Sequence, residues 1–344
     1  MALINDQNGK RIEWIDTAKG IGLILVILGH LKTGYLSAWI YTFHMPLFFF
    51  LSGVVFSGAK YSFKEFLLKS IKSLVIPYFS LGIVIWLFYA VVNIFVGQEN
   101  GLYGSNLEML KNFIVQEHFW TVWFLACLFL TEMLYYILMK FLGKNFLIMS
   151  FASVLICSFG LIRYRMGCGG LPWNLDIALV AQFFVHCGYI LKNSVKLKEF
   201  IFKNRGISYL VKILLFLGMN LFAGILCIKV AHQSLDMSVG LYGNELLTII
   251  SALSGTLFVV MLSEKIHCRF ITYLGRNTMI IFAWHSRIII VLCNYIYAAL
   301  GIFQTGTFIE NILYSLATVV VIFIVLIPIS ELIKRSKIHK IFGV

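Results

Sequence analysis

Ten continuous apolar runs divide the chain, at about 15–31, 37–57, 73–96, 120–139, 146–162, 174–191, 207–230, 244–262, 277–300 and 309–331. Each is about 17 to 25 residues, the length at which a helix crosses a hydrocarbon layer roughly 30 Å thick. None has the two-residue alternation of a barrel strand, so the pattern predicts helices, which satisfy their backbone polar groups internally. The loops between runs are short and leave no room for a separate soluble domain. The expectation is an all-α polytopic membrane protein, a bundle of about ten transmembrane helices forming a single domain over residues 1–344. No cleavable signal peptide is expected, because the first ten residues are polar and the first run lacks a small-residue cleavage pattern.

Composition sharpens this picture. Hydrophobic residues make up 60% of the chain and charged ones 12%, against roughly half and a quarter in soluble domains. Mean hydropathy is +0.90. The cations fall on alternate loops. Twenty Lys and Arg lie on one side, whereas the opposite loops hold four, Lys32, Lys111, Arg163 and Arg165. By the positive-inside rule both termini are cytoplasmic, and the net charge of +13 needs no nucleic-acid surface to explain it. The seven cysteines are scattered, mostly within spans, and form no CxxC pair. That is the pattern of small packing residues, not of a disulfide framework or a zinc site, and no metal is expected. Nucleotide-binding, zincin and hydrolase-elbow motifs do not occur in a fitting context.

Ionisable groups inside spans are costly and ordinarily face a cavity or a partner, so they carry the functional information. The first span holds Glu13, Asp16 and Lys19, then an apolar run to Gly29-His30. Eleven residues at 100° each put Lys19 and His30 within about 20° of the same helix face, about 16 Å apart along the axis. Asp16 falls about 60° from Lys19 by the same arithmetic. One face thus presents a charge pair near the cytoplasm and an imidazole near the outer leaflet. Plainer readings stand beside this one: Lys19 snorkels to the inner interface, and His30 bonds a loop at a helix end. His44 opens the second span, across a short loop from His30. Two histidines at one membrane depth suggest proton transfer, because neutral imidazole accepts a proton near pH 7. Arg287, after Trp284-His285-Ser286, is expensive unless it faces a cavity or an anion.

Several of these segments resemble the type-3 integral-membrane acyltransferase family. The resemblance rests on Arg11 to His30, with ten residues between Lys19 and His30, and on Phe43 to Gly53 (FHMPLFFFLSG). It continues through Ile76-Pro77-Tyr78, Trp123-Phe124-Leu125, Pro172-Trp173-Asn174-Leu175-Asp176, and Leu274-Gly275 with Met279 and His285. The chain is most similar to the branch of fucose 4-O-acetylases and other glycan O-acetyltransferases. One departure is Lys69-Ser70-Ile71-Lys72 where many members carry paired arginines; lysine offers phosphate a charge but not bidentate geometry.

The resemblance implies an O-acyltransferase that moves an acyl group, most readily from acetyl-CoA, to a hydroxyl of a carbohydrate or cell-surface glycan. His30 would be the general base, with His44 and Asp16 as further catalytic candidates. A cytoplasmic rim of Arg11, Lys19, Lys69, Lys72 and Arg276 suits the donor's phosphates, although plain inner-face anchoring suits each of them too. Trp123, Arg163, Trp173, Asn174, Asp176, Glu245 and His285, with Trp120, are the acceptor-side candidates; an interfacial aromatic belt is their plain alternative. The expected partners are acyl-CoA, a glycan acceptor and membrane lipids, with no nucleic acid, and the expected setting is the cell inner membrane. The competing function is a transporter or flippase of a glycan-related substrate, which predicts internal repeats; the chain has no self-similarity of that kind.

Overall fold

The computed structural model describes residues 12–31, 33–96, 105–116, 121–203, 206–231, 235–301 and 308–344. The helices are α1 (Glu13–His30), α2 (Tyr35–Tyr41), α3 (His44–Val55), α4 (Phe63–Ser70), α5 (Ile76–Val96), α6 (Asn106–Val115), α7 (Trp123–Leu142) and α8 (Phe146–Arg165). They continue as α9 (Leu175–Asn193), α10 (Val195–Lys198), α11 (Ile207–Ala231), α12 (Glu245–Lys265), α13 (Arg269–Arg276), α14 (Thr278–Trp284), α15 (Val291–Ala299) and α16 (Phe308–Arg335). No strand occurs among the described residues, only an isolated bridge between Asp236 and Leu241. Nine of the described segments are long and apolar enough to cross a membrane. α1, whose eighteen residues include Glu13, Asp16 and Lys19, is the remaining expected span. The chain is an all-α, multi-pass membrane protein.

Where the helices depart from the apolar runs, local chemistry accounts for it. The third run extends backwards through α4, because Ser62 and Glu65 form a reciprocal capping box that starts a helix at Phe63, before the run. α4 passes into α5 through a π-helical turn at Ile71–Val75. Pro77, which cannot donate to the carbonyl four residues back, follows directly. The second run is two helices, with Thr42 donating its hydroxyl to Trp39 O (2.8 Å) at the break. The ninth run is interrupted by a π-helical turn at His285–Ile290. The stretch before it, expected to be a cytoplasmic loop, is helix α13.

α13 lies against α1 at backbone distance. A Cβ added to Gly20 would stand 2.0 Å from the Ile271 carbonyl oxygen, and one added to Gly275 would stand 1.7 Å from that of Asp16. These pairs make α13 antiparallel to α1. Without a hydrophobic drive between helices in lipid, such small-residue contacts let dispersion and polar bonds hold the pair. Two bonds do so: Thr17 Oγ1 to Thr272 Oγ1 (3.2 Å), and Arg276 Nε donating to Asp16 Oδ2 (3.1 Å). α3 and α9 approach as closely, with Gly53 against Val185 and Gly188 against Phe50. Asn220 ties α11 to α2 and α12: it accepts from Trp39 Nε1 (2.5 Å) and donates to Ser251 O (2.8 Å).

Gly275→Ala is therefore expected to lower the melting temperature in detergent and to loosen α1, since overpacking against rigid backbone costs about 1–3 kcal/mol. Gly218→Ala, where no atom lies within 4 Å of the added carbon, should be neutral or stabilising by up to about 1 kcal/mol. Equal melting temperatures for the two variants would refute the close-contact account.

Candidate functional site

α1 is the ruler along which the candidate site is laid out. At its outer end His30 meets His285, the first residue of the π turn, with Nδ1 of His30 3.3 Å from Nε2 of His285. Proton positions follow from the other partners. Nδ1 of His285 lies 3.0 and 2.9 Å from the carbonyl oxygens of Ile281 and Phe282, which only accept, so it carries the hydrogen. In the neutral ring, Nε2 of His285 is then a lone pair. Nδ1 of His30 faces that lone pair and, at 2.9 Å, the Val26 carbonyl, so it too is protonated. The free lone pair of His30 is on Nε2, the atom that can take a proton from a hydroxyl.

His44 was expected to be the partner of His30, and it is not. Its Nδ1 donates to Ile40 O (2.9 Å), and its ring packs on Tyr41 at 4.9 Å between centroids. Tyr41 in turn lies 6.3 Å from the His30 ring, so a phenol stands between the two imidazoles. His44 nevertheless lies within electrostatic reach of His30. His285, assigned from sequence to the acceptor side, instead occupies the position behind the base. Arg287 and Asp236 lie within electrostatic reach of His30.

At the other end of α1, Asp16 is fully buried and bonded to Arg276. Fourteen residues of helix separate it from His30, about 21 Å of rise, so it can share no proton with that imidazole; it belongs to the α1–α13 contact. Arg276 is occupied by the same contact, and Lys72 is exposed. Arg11 and Trp120 lie outside the described residues. Lys19 and Lys69 do come together. They line one cavity of about 130 Å³ with Ser52, Ser70, Glu132, Phe48, Phe124 and Met279. Glu132 accepts from Ser52 Oγ at 2.9 Å.

Lys69 and Ser57 are shared with a second, larger cavity of about 520 Å³. Its wall holds Lys60, Lys192 and Lys198, with Trp14, Tyr61 and Phe202. Four ammonium groups around one cavity repel each other unless an anion joins them.

A third cavity, of about 250 Å³, brings together Arg163, Asp176, Tyr164 and Tyr242. The Tyr242 hydroxyl is buried in it without a hydrogen-bond partner. Asp176 Oδ1 accepts from Leu171 N (3.2 Å), and Arg163 donates to Gly169 O (2.5 Å). Glu245 faces Arg165 at 3.9 Å. The other acceptor-side candidates are packed. Trp173 Nε1 donates to Ile114 O (3.1 Å), and its ring lies 5.4, 6.0 and 6.2 Å from those of Tyr78, Phe79 and Phe129. Asn174 is buried, with Nδ2 3.5 Å from Trp123 O at the start of α7. Trp123 is itself a core residue.

The sequence reading passed over Glu132, although a lone carboxylate inside an apolar run is a legible signal. It also passed over Lys60, Lys192 and Lys198, which look like ordinary loop cations until folding gathers them. Tyr41 and Asp236 carried no signal at all, whereas Tyr242 stands among the outer-end residues that the sequence offers for a sugar-facing lip.

A family model described as an acyltransferase domain matches residues 12–328. No curated protein and no solved structure matches the chain.

If His285 acts by accepting from His30, His285→Leu should lower kcat of group transfer at least tenfold and leave the donor KM unchanged. His285→Gln, which retains an acceptor oxygen, should recover part of that loss. Equal kcat in the Leu and Gln variants would reduce His285 to packing.

Proposed function

Because the chain belongs to the type-3 membrane acyltransferase family, we propose that it is an O-acyltransferase drawing on acyl-CoA at the cytoplasmic face of the cell inner membrane. Its acceptor is a hydroxyl of a carbohydrate or cell-surface glycan. The observation that carries this reading is the unencumbered Nε2 of His30, at the far end of the helix whose Lys19 lines the cavity system.

The donor's chemistry matches the two joined cavities. Its nucleotide end is a polyanion with an aromatic base, and the larger cavity offers Lys60, Lys69, Lys192 and Lys198 beside Trp14, Tyr61 and Phe202. The thioester end of the pantetheine arm is uncharged, and the smaller cavity offers Ser52, Ser70 and Glu132 among apolar walls to receive it. Lys72 and Arg276 then serve the inner interface and the α1–α13 contact. With twenty cations on the side of the termini, the lysine cavity opens to the cytoplasm.

Acyl transfer needs a base for the attacking hydroxyl. Nε2 of His30 takes the hydroxyl proton as the oxygen attacks the thioester carbonyl. The C–S bond breaks, an ester forms, and the proton passes to the thiolate, giving free CoA. His285 Nε2 accepts from His30 Nδ1–H throughout, holding the tautomer and stabilising the transient imidazolium. Arg163, Asp176 and Tyr242 form the acceptor's cavity, where hydroxyls find a guanidinium, a carboxylate and a phenol that lacks a partner.

Purified protein in detergent, supplied with labelled acetyl-CoA and a glycan acceptor, should release CoA thiol and label the acceptor. His30→Ala should lower turnover by about 10²–10⁴-fold while donor binding persists, and near-normal turnover in a folded variant would overturn the role of His30. Lys198→Glu should raise the donor KM at least tenfold, with the loss shrinking as salt screens the site; an unchanged donor KM would remove the lysine cavity from the donor site.

A further inference from the structure

Between the smaller cavity and the histidine pair stand three phenylalanines. Phe48 and Phe124 line the cavity, and their rings are 5.8 Å apart. Phe282 closes the set, 6.3 Å from Phe48 and 5.5 Å from Phe124. Its other side faces the site: Phe282 is 6.4 Å from the His285 ring and offers it a carbonyl oxygen. The set is placed against α1 by Gly22, where an added Cβ would stand 2.9 Å from the Phe48 ring. Gly22 is one turn above Lys19, which leaves about 12 Å of helix rise to His30. The rings therefore fill the step between the donor's cavity and the base.

We propose that Phe48, Phe124 and Phe282 are the specificity wall of the donor site, restricting the transferred group to acetyl size. The proposal rests on the reading of the cavity as the seat of an acyl-CoA thioester. A space of about 130 Å³ is close to that of an engineered cavity of about 150 Å³ which holds one benzene. A thioester and two carbons fit in it, and a longer chain meets the three rings. Phe124 and Phe282 are buried in the core and cannot turn aside without moving helix-borne neighbours. Phe48 is only partly buried, so it is the ring free to swing and let the small thioester reach His30. Each methylene that a pocket cannot house costs about 10–200-fold in kcat/KM.

The test is CoA-thiol release from acetyl-, butyryl- and hexanoyl-CoA, each supplied with the same glycan acceptor, by wild type, Phe124→Leu and Phe48→Leu in detergent. Wild type should prefer acetyl over hexanoyl by at least 100-fold in kcat/KM. Either leucine variant should shrink that preference at least tenfold by gaining activity on the longer donors. Phe48→Leu alters the less buried ring and keeps the test open should Phe124→Leu fail to fold. A chain-length preference unchanged in a folded variant, or a wild type that treats all three donors alike, would overturn the wall and leave the donor reading standing. No thioester cleavage by wild type with any donor would overturn both.

Discussion

The site depends on α1 being held against α13 at backbone distance. Gly20 and Gly275 make that approach possible, and the ion pair between buried Asp16 and half-exposed Arg276 fixes its register. The chain then reverses at Asn277, and α14 climbs back along α1 until His285 stands beside His30. A one-residue slip of α1 on α13 would rotate Lys19 out of the cavity and His30 away from its partner by about 100°. In lipid such a slip would also leave Thr17 and Asp16 with polar atoms facing hydrocarbon, where an unsatisfied group costs several kcal/mol. The same contact that holds the bundle together thus aims the base.

Polar side chains elsewhere in the bundle follow the same constraint. Ser52 satisfies Glu132, and His186 lies between Tyr135 Oη (3.1 Å) and Ser150 Oγ (2.9 Å), linking α7, α8 and α9. Asn220 serves three helices at once. Each cluster joins side chains of different helices, so each acts as a register pin. Two of the π-helical turns among the described residues, Ile71–Val75 and His285–Ile290, occur beside Pro77 and at His285. The second turns the imidazole of His285 toward α1 in a segment that a straight helix would carry past it.

The cavities divide the proposed chemistry by charge. Lysines gather at one end of α1, three phenylalanines occupy the middle, and histidines with a tyrosine stand at the far end. On the proposed reading a polyanionic donor is held apart from His30, and only its uncharged arm reaches inward. That separation keeps the lysine charges near water, where ammonium groups are well solvated, and away from hydrocarbon, where they are costly.

The sequence by itself determined that the chain is an all-α, multi-pass membrane protein, because a lipid-spanning segment must be continuous, apolar and about twenty residues long. It also singled out His30 as the residue to propose as base: the Lys19–His30 spacing is a local property of one helix, and the family's motifs lie within single segments. Only the tertiary structure decided which groups meet. His285, not His44, is the imidazole hydrogen-bonded to His30, a meeting of two distant segments that hydropathy does not encode. Trp173 turned out to be packed among Tyr78, Phe79 and Phe129, because an aromatic at a helix start reads alike whether it faces a sugar or a core. Lys60, Lys192 and Lys198 come from three separate segments, and their shared cavity is a consequence of α3 packing on α9 at two glycines. Contacts between distant segments depend on how rigid surfaces fit, and that fit is a property of all the helices together.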